Sequence, residues 1–385
     1  MPHVLIFTAG FGEGHNTAAR SLSSALAQLG IDSKVVDPFQ LARPALTRHA
    51  RRLYLGMIER APFVWKPIYD LLDHSPTAQR MAARVEPVAR EFERQIREHR
   101  PAAVVATYPL FGSFWKEVAD KTDPPRCPFV SVVTDSLTIH SLWMRGKIDH
   151  WCVTDDASVR RLVSQGAAAE CVHATGFAVD PRFAHGAREV TRAPEKIGAR
   201  ILLFPTSSRH RTSALIDTFA GLPDPQAWSL TVALGGQKDR LRPLFEAAQR
   251  EKRLPQNLNF VGWCDDMPSL YRDHHIVVGK AGGATVHEAR AAARPMLIHT
   301  TVPGQEEGNA ELLESEGGGW RLRGNGDLVR RLSEWRADDF ALWHQAHQDL
   351  LQKAPADGAA RIARLVARVA GEDRGAGTGD GCRCG

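Results

Sequence analysis

Val4-Leu5-Ile6-Phe7-Thr8-Ala9-Gly10-Phe11-Gly12-Glu13-Gly14-His15-Asn16-Thr17-Ala18-Ala19 decides how the rest of the chain is read. A strand (Val4–Thr8) runs into a glycine-rich turn, and a helix is expected to start at or just after His15. Glycines let a backbone approach a ligand closely, and the free N–H groups of a helix N-terminus attract an anion. The helix carries apolar residues at Ala18, Leu22, Ala25, Leu26 and Leu29, one buried stripe, and Gly30 supplies its stop. A nicotinamide dinucleotide site is the first rival, because Asp37 ends the next strand where a ribose-binding acid would sit. The spacing argues against it: G-x-G-x-G followed by histidine, not G-x-G-x-x-G. A histidine at a helix start inside a phosphate-sized loop suits acid–base chemistry on an activated substrate.

Outward from this unit, strand-like runs alternate with helical patterns almost throughout. In the first half they are Lys34–Asp37, Ala103–Ala106, Phe129–Thr134, Trp151–Val153 and Cys171–Ala174. In the second they are Ile201–Phe204, Leu230–Leu234, Leu258–Val261, Ile276–Val278 and Met296–His299. That alternation is the signature of an α/β protein with parallel layers. Residues 1–183 and 200–338 read as two similar-sized domains, with a polar linker at 184–199. Helices at 339–370 come next, then a glycine-rich tail at 371–385 expected to be disordered.

Composition sets bounds. The chain has 385 residues, 43% of them apolar and 24% charged, which excludes a disordered, collagenous or disulfide-stapled protein. No run of 18 uncharged apolar residues is present, and the first residues lack the basic region of a signal peptide, so a cytoplasmic chain is expected. A formal charge of +5 is too small to imply nucleic-acid binding by itself. The six cysteines are few and scattered, as in reduced, buried thiols.

Two further constellations carry chemistry. Val132-Val133-Thr134-Asp135-Ser136-Leu137-Thr138-Ile139-His140, followed by Trp143, puts Asp135 just past a strand's carboxyl end, the edge where open parallel sheets place ligands. Ile276-Val277-Val278-Gly279-Lys280-Ala281-Gly282-Gly283-Ala284-Thr285-Val286-His287-Glu288-Ala289 is again strand, glycine loop and helix, and Val302-Pro303-Gly304-Gln305-Glu306-Glu307-Gly308-Asn309 comes one strand later. A carboxylate early in that helix, Glu288, could bridge a ribose diol, and the amides of Gln305 and Asn309 could read sugar hydroxyls. Upstream, Val261-Gly262-Trp263 ends a strand at the same edge, where backbone groups could pair with a base.

The segment from Leu41 to Tyr69 breaks the rhythm. Arg43, Arg48, Arg51, Arg52, Arg60 and Lys66 face a single acid, Glu59, and are interleaved with aromatic and aliphatic residues. Phe63-Val64-Trp65, between Pro62 and Pro67, reads as a loop that dips into an anionic lipid surface.

Together these stretches resemble the monogalactosyldiacylglycerol synthase and processive diacylglycerol glucosyltransferase family, related to the peptidoglycan N-acetylglucosaminyltransferase. The likeness rests on Gly12-Glu13-Gly14-His15 with Ala18-Ala19, on Tyr54 through Tyr69, on Val133 through Trp143 with Thr175-Gly176-Phe177, and on the two later loops. It implies the GT-B architecture, two Rossmann-like domains facing across a cleft with the helices at 339–370 returning to the first domain, and inverting transfer of galactose or glucose from a UDP-sugar to diacylglycerol. Inversion needs a base to take the acceptor proton while the hydroxyl attacks from the face opposite the UDP; His15 is the first choice, with Asp135 as competing base or partner. The donor would be held by Gly14, Val261, Gly262, Trp263, Gly282, Gly283, Ala284, Thr285, Glu288, Gln305, Glu306 and Asn309. The lipid and acceptor would meet Arg51, Arg52, Phe63, Trp65, Tyr69, His140 and Trp143. The UDP-sugar is a substrate, no D-x-D triplet occurs, and no metal or other cofactor is required by this reading. Another acceptor (a sterol, a polyprenyl-linked sugar or a small phenol), or a UDP-sugar epimerase on the same fold, are the alternatives. One stretch departs from the family: the loop after the second half's first strand is Phe204-Pro205-Thr206-Ser207-Ser208-Arg209-His210, where glycines are usual. Pro205 there offers no N–H to a phosphate.

Overall fold

The computed structural model describes residues 3–60, 62–75, 85–119, 127–186, 188–189 and 193–375. The chain divides into two units. The first is Met1–Pro181 with Pro303–Gly308 and the chain from Asp357 onward; the second is Arg182–Val302 with Asn309–Ala356.

In the first unit β1 (His3–Phe7), α1 (Glu13–Gln28), β2 (Asp32–Val36), α2 (Pro38–Ala42), α3 (Pro44–Arg60), α4 (Pro62–His74) and α5 (Glu86–His99) come first. After them stand β3 (Ala103–Ala106), α6 (Leu110–Ala119), β4 (Phe129–Val132), β5 (His150–Val153), α7 (Asp156–Ser164) and β6 (Val172–Ala174). The six strands form one sheet, β2-β1-β3-β4-β5-β6, every pair parallel. Helices cover both faces of such a sheet, so its central strands are buried along their length: β3 and β4 expose nothing. Phe7, Phe92 and Phe111 stack within this core.

The second unit repeats the plan with β7 (Ala199–Leu203), α8 (Arg209–Ala220), β8 (Trp228–Ala233), α9 (Lys238–Arg250), β9 (Asn257–Val261), α10 (Met267–Arg272), β10 (Ile276–Lys280) and α11 (Gly283–Ala291). It continues through β11 (Met296–Thr300), α12 (Glu307–Ser315), β12 (Gly319–Arg321), α13 (Asn325–Ala337) and α14 (Ala341–Lys353). Its sheet, β12-β11-β10-β7-β8-β9, is also wholly parallel. Two parallel doubly wound sheets are the α/β class expected.

The chain-terminal helices divide differently from expectation. α14 stays in the second unit, where Trp343 is fully buried in the core and donates its indole N–H to the His275 carbonyl at 2.8 Å. Only α15 (Gly358–Gly375) belongs to the first unit, packed along α1. Helix α15 also runs through residues 371–375, where a tail was expected; residues 376–385, with Cys382 and Cys384, lie outside the described residues. Leu29 leaves the buried stripe of α1, because it is the C-cap and 46% exposed.

Candidate active site

In the first sheet β1 lies between β2 and β3, so the chain turns to opposite sides after β1 and β3, and a crevice opens at their carboxyl ends. His15 stands there. Helix α1 begins at Glu13 with Gly12 as its N-cap, two residues earlier than expected, which puts His15 in the first turn. Its Nδ1 lies 2.7 Å from the Thr107 carbonyl, just past β3, and 2.9 Å from the Thr134 hydroxyl, just past β4. A carbonyl only accepts, so Nδ1 carries the proton and Nε2 keeps its lone pair. Burial drags the imidazole down to about 4, against the opposing effect of the Thr107 bond, so the ring is neutral at physiological pH. Tyr108 stands edge-on to it at 5.0 Å.

Asp135 takes a different partner from the one expected. Its Oδ2 accepts the Trp143 indole N–H at 2.7 Å, whereas the histidine is oriented by Thr107 and Thr134. Burial pushes this carboxyl up to about 6, with the Trp143 bond pulling the other way. Trp143 is 1% exposed and His140 is 6% exposed, so neither offers the acceptor surface expected of it. His140 Nδ1 accepts the Leu142 N–H at 3.1 Å, and its ring stands edge-on to Tyr69 at 4.7 Å. Both residues shape the loop that carries Asp135. Leu137 in that loop sits at φ +53, a left-handed conformation that costs a non-glycine residue about 1–2 kcal/mol.

Asp37 needs no ribose to explain it: one carboxylate oxygen caps α2 through the Gln40 N–H, and the other accepts the Gly10 N–H, both at 3.0 Å. Glu13 is met by Arg51 at 2.9 Å, which ties that arginine to the glycine turn while leaving it partly exposed; Arg52 is exposed as well.

The basic segment forms two helices. Phe63-Val64-Trp65 belongs to α4, with Pro62 at its first position, where a missing N–H costs nothing. The dipping loop is therefore replaced by a helix. The Phe63 side chain lies outside the described residues. Trp65 packs on Tyr54 at 5.1 Å and Tyr69 at 6.1 Å, and its indole N–H is buried without a partner, so it points into the protein rather than into lipid. The exposed apolar side chains here are instead Leu41, Leu46, Leu53, Leu55, Ile68 and Leu71, between 37% and 65% exposed. Leu46 and Leu53 are seven residues apart on α3, hence on one face.

Pro303–Gly308 belongs to this unit as well. Gln305 receives the Tyr54 hydroxyl at 3.0 Å, and Glu306 is buried beside it.

In the second unit the chain order reverses between β7 and β10, and the loops after those strands meet there. Gly282 caps α11, so Gly283, Ala284 and Thr285 form a first turn whose N–H groups lack intrahelical partners. Glu288 is buried with its carboxyl against the Tyr271 hydroxyl, which donates to the Thr285 carbonyl at 3.2 Å. Asn309 Nδ2 donates to the Ala281 carbonyl at 3.2 Å, while its Oδ1 is buried with no partner, an acceptor awaiting a donor. Val261 closes β9, Gly262 is next, and Trp263 is 63% exposed with its N–H on Asp265 at 3.1 Å. In the glycine-poor loop Ser208 caps α8, and the Thr206 carbonyl accepts the Thr212 hydroxyl at 2.9 Å. Arg294 supports this edge from below, fully buried, donating to the Tyr271 and His274 carbonyls at 3.0 and 2.8 Å.

Thr107, Tyr108 and Tyr271 escaped the sequence reading. The first two come directly after a strand, a position that marks them as edge residues; Tyr271 lies inside a six-residue helix and carries no such signal.

Residues 15–179 match the family model described as monogalactosyldiacylglycerol (MGDG) synthase. Curated relatives include the processive diacylglycerol beta-glucosyltransferase of Bacillus thuringiensis (strain Al Hakam), 25% identical over 374 residues that cover 92% of each chain. That of Bacillus cereus (strain AH187) is 24% identical over 369 residues, again 92% of each. Among solved structures, Acinetobacter baumannii MurG is 15% identical and covers 96% of this chain and all of its own, with a TM-score of 0.59. Anabaena HepE, solved in complex with UDP-glucose, is 14% identical over 97% of this chain and 100% of its own, with a TM-score of 0.55. At these identities the structural likeness is one of fold, the GT-B architecture.

Proposed function

We propose that this chain is a member of the monogalactosyldiacylglycerol synthase and processive diacylglycerol glucosyltransferase family and moves a hexose from a UDP-hexose to the free hydroxyl of diacylglycerol, with inversion. The observation that carries the reading is the His15 ring, neutral and fixed through Nδ1, with its Nε2 lone pair unspent. Nε2 takes the acceptor hydroxyl proton as the hydroxyl oxygen bonds to the anomeric carbon. The bond from that carbon to the β-phosphate oxygen breaks on the opposite face, and UDP leaves with the electron pair. Charge developing on the diphosphate is met by the first-turn N–H groups of α11 and the positive end of its dipole. Glu288 holds the ribose diol, Asn309 and Gln305 the hexose, and Val261–Trp263 the uracil. UDP-glucose is the first donor to assay, since relatives aligned over most of the chain carry glucosyl transfer in their names, and UDP-galactose is the second.

Diacylglycerol stays in its bilayer, so the enzyme must reach a surface. No helix among the described residues is long and apolar enough to cross a membrane. The exposed leucines of α3 and α4, bordered by Arg43, Arg48 and Arg52, form the face we assign to an anionic lipid surface, held peripherally. Purified protein incubated with diacylglycerol vesicles and each UDP-hexose should yield a lipid glycoside. A glycoside of a different acceptor, or an isomerised nucleotide sugar, would replace this reading.

A further inference from the structure

Tyr54 and Gln305 are 251 residues apart in sequence, yet the phenol hydroxyl donates to the Gln305 Oε1 at 3.0 Å. Both partners are held. The Tyr54 ring is edge-on to Trp65 at 5.1 Å and to Phe11 at 6.0 Å. The Pro303–Gly308 segment is seated by two glycines: a Cβ on Gly304, at φ +80, would come 2.8 Å from the Tyr69 ring, and one on Gly308 would come 1.9 Å from the Ser136 carbonyl. No larger residue fits either place without moving its neighbour. Burial raises the Tyr54 hydroxyl well above its usual range, with the Gln305 bond as a smaller, opposing influence, so it keeps its proton and acts as a donor at every working pH.

A side-chain amide has one accepting end and one donating end. With Oε1 engaged by a fixed donor the amide is held against flipping, and Nε2 is left as its outward end, with no partner among the described residues. We propose that Tyr54 is a positioning residue for donor recognition: it locks the Gln305 amide so that N–H groups, not the carbonyl, meet the hexose, and thereby selects sugars by where their hydroxyl oxygens can accept. This deepens the reading above and rests on the assignment of the hexose to Gln305. It also gives α3 two tasks, since the helix with exposed leucines carries the residue that orients the sugar-reading side chain.

Tyr54→Phe keeps the ring and removes one hydroxyl. Calorimetry on the full chain, without lipid, is expected to show unchanged affinity for UDP, a three- to tenfold weaker affinity for UDP-glucose, and a UDP-glucose to UDP-galactose preference drawn toward unity. In turnover the donor KM rises by a similar factor while kcat changes less than twofold. The Tyr54→Phe/Gln305→Ala double variant should bind UDP-glucose no more weakly than Gln305→Ala alone, because the hydroxyl acts only through that amide. If Gln305→Ala weakens UDP-glucose but Tyr54→Phe does not, or if the two losses add, the positioning role is overturned and the donor assignment stands. If Gln305→Ala binds UDP-glucose as the parent does, the assignment of the hexose to Gln305 fails and this inference with it.

Discussion

The two glycine turns, at β1–α1 and at β10–α11, share strand, turn and helix but are furnished for different chemistry. The first is crowded with ionisable partners: Glu13 pairs with Arg51, Asp37 receives the Gly10 N–H, and His15 stands in the first helical turn. The second is lined with small residues, Ala281 to Thr285, with its one carboxylate, Glu288, set deeper in the helix against Tyr271. A turn that must move a proton needs a group whose charge is set by its surroundings, and burial does that for His15 and Asp135. A turn that must hold a diphosphate needs open backbone N–H groups, which bulky side chains would cover. One supersecondary unit thus serves two purposes, and the side chains just after its last glycine decide between them.

That contrast can be broken. His15→Ala should cut turnover by about 10²–10⁴ and leave UDP affinity within a few-fold. Steady-state kinetics beside UDP calorimetry test this, and near-normal turnover would move the base to Asp135. Glu288→Ala should do the reverse, weakening UDP itself by about 1.5–3 kcal/mol through loss of a charged hydrogen bond while sparing the pH profile of the remaining activity. Equal effects of both changes on UDP binding would erase the division of labour between the turns.

The acid limb of kcat/KM sharpens it further. With His15 as base the limb falls near pH 4, and with Asp135 as base near pH 6. Trp143→Phe removes a bond that lowers the Asp135 carboxyl, so a limb that moves upward in that variant identifies Asp135, and a stationary one identifies His15. Linkage has its own sign here. His15 resists protonation in the folded state, so folded stability should decline as pH falls from 6.5 toward 4, and this decline should be absent from His15→Gln in denaturant titrations. The smallest expected effect concerns lipid. Leu46→Ser with Leu53→Ser should weaken sedimentation with anionic vesicles by about tenfold, roughly one partly buried leucine's worth, without altering UDP binding. Undiminished sedimentation would remove α3 from the lipid surface.

Eleven of the twelve strands were legible from the sequence to within two residues at each end: the central ones because a strand covered on both faces is a bare run of apolar residues, the exposed edge strands β2 and β9 through shorter apolar runs. β12 was not: Gly319-Trp320-Arg321 is three residues long and comes after two other glycines. Two prolines suggested a loop at 62–67, yet Pro62 starts α4 and Pro67 is carried within it. At the site, the sequence named His15, Asp135, Glu288 and Asn309 through their place after strand ends. It did not reveal that Thr107 and Thr134 orient the histidine or that Trp143 serves Asp135, since those bonds join loops that meet only when β3 and β4 stand beside β1.

The last helix has a consequence for how the molecule is made. α15 packs along α1, so the first unit gains its final element only after some 340 further residues have been synthesised. Until then the first sheet's opening helix is covered by β1 and β2 of its own unit but lacks the packing that α15 supplies. Closing so long a loop is entropically slow, and at about 5–20 residues per second the wait lasts on the order of tens of seconds. The second unit, contiguous but for one six-residue excursion, is free to fold before the first is finished, which inverts the usual order in which domains leave the ribosome complete. A gene cut between the units would yield an amino-terminal piece lacking both α15 and the Pro303–Gly308 segment, so such halves should recover structure only when both are supplied together.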